Sequence, residues 1–62
     1  MKTYIVNVQY PNRERWRAIN ILADSWEKAK DIAERRLQGV GAVMEIINND
    51  TGDIEFERGN SQ

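Results

Sequence analysis

The sequence predicts an α+β fold in the order β-β-α-β-β, with a single, mostly antiparallel sheet and one helix packed on one face. Three observations support it. A helical pattern with start and stop signals occupies residues 24–38, two strand-like runs precede it, and two more follow it around a strong turn sequence. A chain of 62 residues forms one domain, so we treat residues 1–62 as a single unit. In such a unit the helix has to bury its apolar stripe against the sheet.

The predicted helix, Asp24 to Gln38, has capping residues at both ends. Asp24 or Ser25 supplies an oxygen for the free N–H groups of the first turn, and Glu27 completes a capping box with Asp24. Gly39 suits a left-handed cap at the C-terminus because it lacks a Cβ. The apolar stripe that should face the sheet recurs at spacings of three and four: Trp26, Ala29, Ile32, Ala33 and Leu37.

Alternation and turn residues predict the four strands. Thr3 to Tyr10 alternates and stops at Pro11, and the run from Glu14 to Ala23 should form a hairpin with it. Ala42 to Asn48 and Asp53 to Arg58 flank a turn in which Gly52 suits a positive φ. The order of the strands in the sheet is left open. The last four residues, 59–62, are predicted to be a frayed tail.

The composition excludes several kinds of chemistry. There is no cysteine for a disulfide or a thiolate metal site, and no histidine for imidazole catalysis or ligation. The glycines match neither a phosphate-binding loop nor a calcium loop, and no acidic pair stands out. We therefore expect no enzymatic activity, no cofactor and no metal.

Charge and size indicate the kind of partner. The net charge of −1 and the pI of about 5.3 argue against a general affinity for nucleic acid. Residues 1–30 carry six bases and three acids, while residues 31–62 carry three bases and seven acids. Such a split can make a dipolar surface that favours antiparallel self-association, or folding can scatter the charges; both alternatives stay open. A core this small is marginal, so a homodimer is expected. The N-terminus lacks an apolar run long enough for a signal peptide or a membrane span, so we expect a cytoplasmic protein without a membrane partner.

Period-two alternation divides the predicted sheet into two faces. The face toward the helix should carry Tyr4, Val6, Val8, Ile19, Ile21, Ala23, Met44, Ile46, Ile54 and Phe56. The opposite face should carry several apolar residues among polar ones: Ile5, Trp16, Leu22, Val43 and Ile47. A contiguous apolar patch of this kind is typical of an interaction site, although scattered surface hydrophobic residues or a local bulge would also explain it. We take Trp16, Leu22, Val43 and Ile47 as candidate binding residues.

Three arginines recur at period two near the start of the second strand: Arg13, Arg15 and Arg17. Together with Trp16 they could bind a phosphate or a carboxylate. A row of this kind also commonly pairs with acids across a sheet, and Glu55 and Glu57 would be the partners here. Both readings stay open, as does the point at which the second strand begins.

Three segments carry a resemblance to a known family. They are the start Met-Lys-Thr-Tyr-Ile-Val, the junction Ile19-Asn-Ile21-Leu-Ala23-Asp-Ser25-Trp-Glu27-Lys-Ala29, and the closing Asp53-Ile-Glu-Phe56. With these the chain resembles the small DpnD/PcfM-like proteins of phages, plasmids and restriction loci. The resemblance implies a strand-strand-helix fold and a mobile-element habitat. It implies no mechanism and no functional residues.

Three hypotheses for function follow. The first is a non-enzymatic binding module, homodimeric and encoded by a phage or other mobile element, that binds or inhibits a host protein. The second is a sponge for an anionic small ligand such as a nucleotide, held by Arg13, Arg15, Trp16 and Arg17 at a dimer interface. The third is a nucleic-acid-binding accessory protein that uses the basic hairpin.

Overall fold

A computed structural model, which describes residues 1–59, contains one four-stranded sheet with a single helix on one of its faces. The elements are β1 (Lys2–Gln9), β2 (Arg17–Ala23), α1 (Trp26–Leu37), β3 (Ala42–Asn48) and β4 (Ile54–Glu57). The predicted α+β fold and the β-β-α-β-β order are confirmed. Of the predicted tail, Gly59 lies in a turn and residues 60–62 lie outside the described residues.

The sheet has the order β2-β1-β3-β4, and every pair of neighbouring strands is antiparallel. The first strand lies inside the sheet, between β2 and β3, and buries Tyr4, Val6 and Val8 on one face. The strands β2 and β4 are therefore the two edges. The second strand begins at Arg17 and not at Glu14, because the residues before it form an irregular loop.

Of the two N-cap residues that the sequence offers, Asp24 and Ser25, the structure uses the second. Ser25 is the N-cap, and its Oγ accepts a hydrogen bond from the backbone N–H of Lys28 at 3.2 Å. At the other end the left-handed conformation begins at Gln38, whose N–H donates to the carbonyl of Glu34, and it continues at Gly39. The cap therefore starts one residue before the predicted glycine. The helix fills the space above the sheet with two alanines and a leucine.

The core lies between this helix and the inner face of the sheet. Its buried members are Tyr4, Val6, Val8, Ile21, Ala23, Ala29, Ala33, Leu37, Val43 and Ile46. At the β4 edge the rings of Trp26 and Phe56 stack with their centroids 5.7 Å apart, which closes the core beneath the helix. Lys30 adds a cation over the same Phe56 ring, 5.3 Å from its centroid.

A bulge in β3 reverses the predicted direction of one side chain. Glu45 lies opposite Asn7, but Val43 lies opposite Val8, so Met44 is the extra residue between them. Since Val8 faces the helix, Val43 faces it too, and its side chain is fully buried. The prediction that Val43 lies on the outer face, available to a partner, is wrong.

A second bulge, in β4, moves Ile54 the other way. Phe56 lies opposite Ile46 on the inner face, while Ile54 lies opposite Ile47, so Glu55 is the extra residue. Ile54 is consequently on the outer face and 53% exposed. The prediction that Ile54 faces the helix is wrong for this reason.

The turn between β3 and β4 is organised by a buried asparagine. The Oδ1 of Asn48 accepts hydrogen bonds from the backbone N–H groups of Asp50 and Thr51, at 2.9 and 3.4 Å. The backbone N–H of Gly52 donates a hydrogen bond to the carbonyl of Asn48, and Gly52 has the predicted positive φ, 83°. This arrangement fixes the direction in which β4 leaves the turn.

Candidate functional site

The face of the sheet that the helix leaves uncovered carries a continuous row of apolar side chains. Ile5 lies opposite Ile47, which lies opposite Ile54, so one row crosses β1, β3 and β4. Leu22 on β2 is the diagonal neighbour of Ile5, since Leu22 pairs with Thr3. We call Ile5, Leu22, Ile47 and Ile54 the apolar band. Ile5 and Ile47 are half-buried, whereas Leu22 and Ile54 at the two edges are 62% and 53% exposed.

A polar row borders the apolar band on one side. Asn7 lies in it between Ala18 and Glu45, and its Nδ2 donates to the Oε1 of Glu45 at 2.9 Å. Glu57 continues the row on β4, opposite Glu45. The outer face is thus apolar toward the start of β1, and polar and acidic toward the end of β1.

A separate site lies at the end of the sheet where β1 stops and β2 begins. Here residues 10–17 and Val40 line an open cleft of about 850 Å³. Arg13, Arg15, Trp16 and Arg17 all line it, and we call these four residues with Val40 the arginine cleft. Within residues 1–59, none of its three guanidinium groups forms an ion pair or a hydrogen bond. Glu14 is the acidic side chain in the lining.

One glutamine holds the loop that forms the arginine cleft. The Oε1 of Gln9 accepts a hydrogen bond from the indole Nε1 of Trp16 at 3.1 Å, and its Nε2 donates to the carbonyl of Arg13 at 3.0 Å. The backbone N–H of Arg13 also donates to the carbonyl of Tyr10, which closes the turn. Trp16 is therefore 47% exposed yet fixed at its polar end. Sequence reasoning missed Gln9 because its role depends on the fold of the loop.

The opposite wall of the cleft comes from the loop after the helix. Gly41 approaches the hairpin so closely that a Cβ there would lie 2.8 Å from the carbonyl oxygen of Gln9 and 3.5 Å from the ring of Tyr10. The absence of a side chain at Gly41 lets this loop pack against the end of β1. Val40, 56% exposed, then faces the cleft.

The structure separates the predicted binding residues into three places. Leu22 and Ile47 lie in the apolar band, Val43 lies in the core, and the remaining four lie around the arginine cleft. The alternative in which the arginines pair with Glu55 and Glu57 across the sheet is wrong, because β2 and β4 are opposite edges. Only the last of the three arginines belongs to a strand.

Folding also redistributes the charges. All six arginines fall toward the end of the molecule that contains the cleft: three line it, two occupy the last helical turn, and Arg58 binds the carbonyl of Val43 through its Nε. Asp50 and Asp53 lie in the turn at the other end, which contacts the start of β1 through Asn49 and Thr3. The arginines thus gather at one end of the strands, and the two sequence halves do not form two separate surfaces.

Residues 1–59 contain neither a group of metal-ligating side chains nor a membrane-spanning helix. Within residues 1–59, acidic side chains do not cluster in a group that could hold a metal ion. The helix in the described part of the chain is too short and too polar to cross a membrane.

Comparison with known proteins gave no relatives: no family model, no curated protein and no solved structure matched this chain. The resemblance to the DpnD/PcfM-like proteins therefore stays a prediction.

Proposed function

We propose that this protein is a non-enzymatic binding module that docks on another protein through its apolar band. The observation that carries the proposal is the exposure of Leu22 and Ile54 on a sheet face that the helix leaves uncovered. Between them lie Ile5 and Ile47, with Ile54 opposite Ile47 and Leu22 diagonal to Ile5. Contiguous apolar surface of this kind is typical of an interaction site, because covering it removes it from water.

The first occupant we propose is a second copy of the chain. A two-fold axis parallel to the strands, with two outer faces packed together, would place Leu22 of one copy over Ile54 of the other, because these residues occupy opposite edges of the sheet. The same axis would bring the β4 edge, which carries Glu57, over the β2 edge, which carries no acidic residue. Such an interface would pack apolar residues of one copy on apolar residues of the other, and no carboxylates would face each other at its edges.

A host protein is the second occupant to test. The DpnD/PcfM-like resemblance supports a mobile-element habitat, in which a small module without catalytic side chains acts by occupying a protein of the host. The small core gives the same expectation, since a domain of this size gains stability from a partner. Either occupant would use the same four residues.

Native mass spectrometry and size-exclusion chromatography with light scattering test this proposal on three variants. Leu22→Asp and Ile54→Asp each place a carboxylate in the apolar band, while Val40→Asp makes the same kind of change at an equally exposed site outside it. We expect a wild-type dimer, a dimer Kd raised about tenfold or more by either band variant, and no comparable change for Val40→Asp. Circular dichroism checks that all three stay folded.

Two results bear on the choice of occupant. A wild-type monomer that binds a host protein, with the binding lost in Leu22→Asp and kept in Val40→Asp, would assign the apolar band to a host partner. A wild-type monomer with no band-dependent binding to any protein would contradict the proposal.

A further inference from the structure

We propose that the arginine cleft is a nucleotide-binding site, in which guanidinium groups hold phosphate and the exposed face of Trp16 stacks on the base. This site is distinct from the apolar band, because it lies at the end of the sheet and the band crosses the sheet nearer its other end. The inference therefore does not depend on the docking function proposed above.

The charge of the cleft is the first support. Arg13, Arg15 and Arg17 line one space, against the single carboxylate of Glu14, and their guanidinium groups have no partner within residues 1–59. Three cationic side chains that line one space make it attractive to an anion. Guanidinium also presents a planar fork of donors that matches the oxygens of a phosphate.

The exposed tryptophan is the second support, and it selects among anions. A carboxylate or a bare phosphate would bind the arginines and would make no stacking contact with Trp16. Trp16 is half-exposed, with its Nε1 bound by the Oε1 of Gln9, so its polar edge is satisfied and the ring is available for stacking. Aromatic side chains stack on any of the bases, and a nucleotide is the common ligand class that combines a base with phosphate.

The fixed geometry of the loop is the third support. Gln9 bridges the indole of Trp16 and the backbone carbonyl of Arg13, so the ring and the backbone of the loop are positioned before a ligand arrives. Pre-organisation of this kind lowers the entropy lost on binding. The close approach of Gly41 to Gln9 places Val40 on the other side, and the cleft of about 850 Å³ has the size of an ordinary small-molecule site.

The test uses the two indole N–H signals of the full chain in two-dimensional ¹⁵N NMR. Trp16 reports on the cleft, and Trp26, the first residue of α1, whose ring is stacked on Phe56 of β4, is the internal reference. The titrants are ATP, adenosine, inorganic triphosphate and a short single-stranded oligothymidine, each at low and at high salt. We expect ATP to shift the Trp16 signal and leave that of Trp26 in place, with adenosine and triphosphate binding more weakly because each lacks half of the ligand.

The matched variants are Arg15→Glu and Arg17→Glu, with Lys28→Glu as the control. All three residues are exposed, and Lys28 makes the same change of charge on the helix, outside the cleft. Each arginine variant should weaken ATP binding about tenfold or more, since a hydrogen bond to a charged group is worth at least that factor. The control should change the affinity far less, and added salt should weaken binding to the wild type. Arg15 lies outside the strands, so its variant tests the cleft without disturbing the sheet.

The outcomes separate the sources of the nucleotide. Tighter binding of the oligothymidine than of ATP, with the same dependence on Arg15 and Arg17, would support the site and identify single-stranded nucleic acid as the source. Tighter binding of ATP would identify a free nucleotide. A Trp16 signal that none of the nucleotide ligands shifts, or equal losses in Arg17→Glu and Lys28→Glu, would overturn the proposal.

Discussion

At the scale of single residues, Asn48 shows how one side chain connects a buried strand to an exposed turn. It is the buried polar residue among those described, 5% exposed, and it pairs with Tyr4 of β1. Its Oδ1 takes two N–H groups of the turn that follows. The sequence contained a signal for these hydrogen bonds, because an asparagine side chain before a turn commonly bonds to the backbone N–H two residues further on. Period-two alternation also puts Asn48 on the face of Ile46, toward the helix, but a polar side chain was not expected among the core residues.

Asn48→Ala should therefore destabilise the protein, and Asn49→Ala should not. The first change removes the acceptor for Asp50 and Thr51 and leaves a small void beside Tyr4, for which we expect a loss of about 1–3 kcal/mol in the free energy of unfolding. Asn49 is exposed, and its contact with Thr3 is through the backbone N–H, so its side chain is dispensable. Urea denaturation followed by circular dichroism measures both. Equal midpoints for the two variants would contradict the role given to Asn48.

At the scale of the elements, the strands and the helix were predictable and the directions of some side chains were not. Local patterns located α1 and all four strands, since caps, periodicity and turn residues are properties of neighbouring positions. The bulges at Met44 and Glu55 leave no mark in the alternation, because a bulge is defined by the register with the partner strand. That is why Val43 was placed outside and Ile54 inside.

Substitution of threonine at Val43 and at Ile54 tests whether the bulges set the directions of these two side chains. Val43→Thr would put a hydroxyl into a fully buried position and should cost about 1–3 kcal/mol of unfolding free energy. Ile54→Thr, on the outer face, should stay within about 0.5 kcal/mol if this face is free of a partner at the concentration used. Strict alternation would give the reverse order. Thermal or chemical unfolding of the two variants at low protein concentration distinguishes the two cases.

At the scale of the whole molecule, the fold separates two surfaces, the arginine cleft and the apolar band, whose residues are close together in the sequence of β2 and the loop before it. Trp16 and Leu22 are six residues apart, and both were predicted on one face. The sheet begins between them, at Arg17, so Trp16 turns to the end of the molecule while Leu22 remains on the outer face. The residue types that make each surface were recognisable from the sequence. Their assignment to two sites depended on the start of β2 and on the order of the strands, which the sequence left open.

The two surfaces should act independently, and the variants already described test this. Arg17 and Leu22 are five residues apart on one strand, or about 16 Å, and the polar row that contains Asn7 lies between the cleft and the apolar band. Sites at that separation with no shared side chain contribute additively. Leu22→Asp should therefore weaken docking and leave the affinity for ATP unchanged. Arg17→Glu should weaken ATP binding and leave docking unchanged. The double variant should show the sum of the two effects, measured by NMR titration and by native mass spectrometry on the same preparations. If a folded Leu22→Asp variant instead weakened nucleotide binding as much as Arg17→Glu does, the two surfaces would not be independent, and the result would indicate that the arginine cleft is one half of a site that the dimer completes.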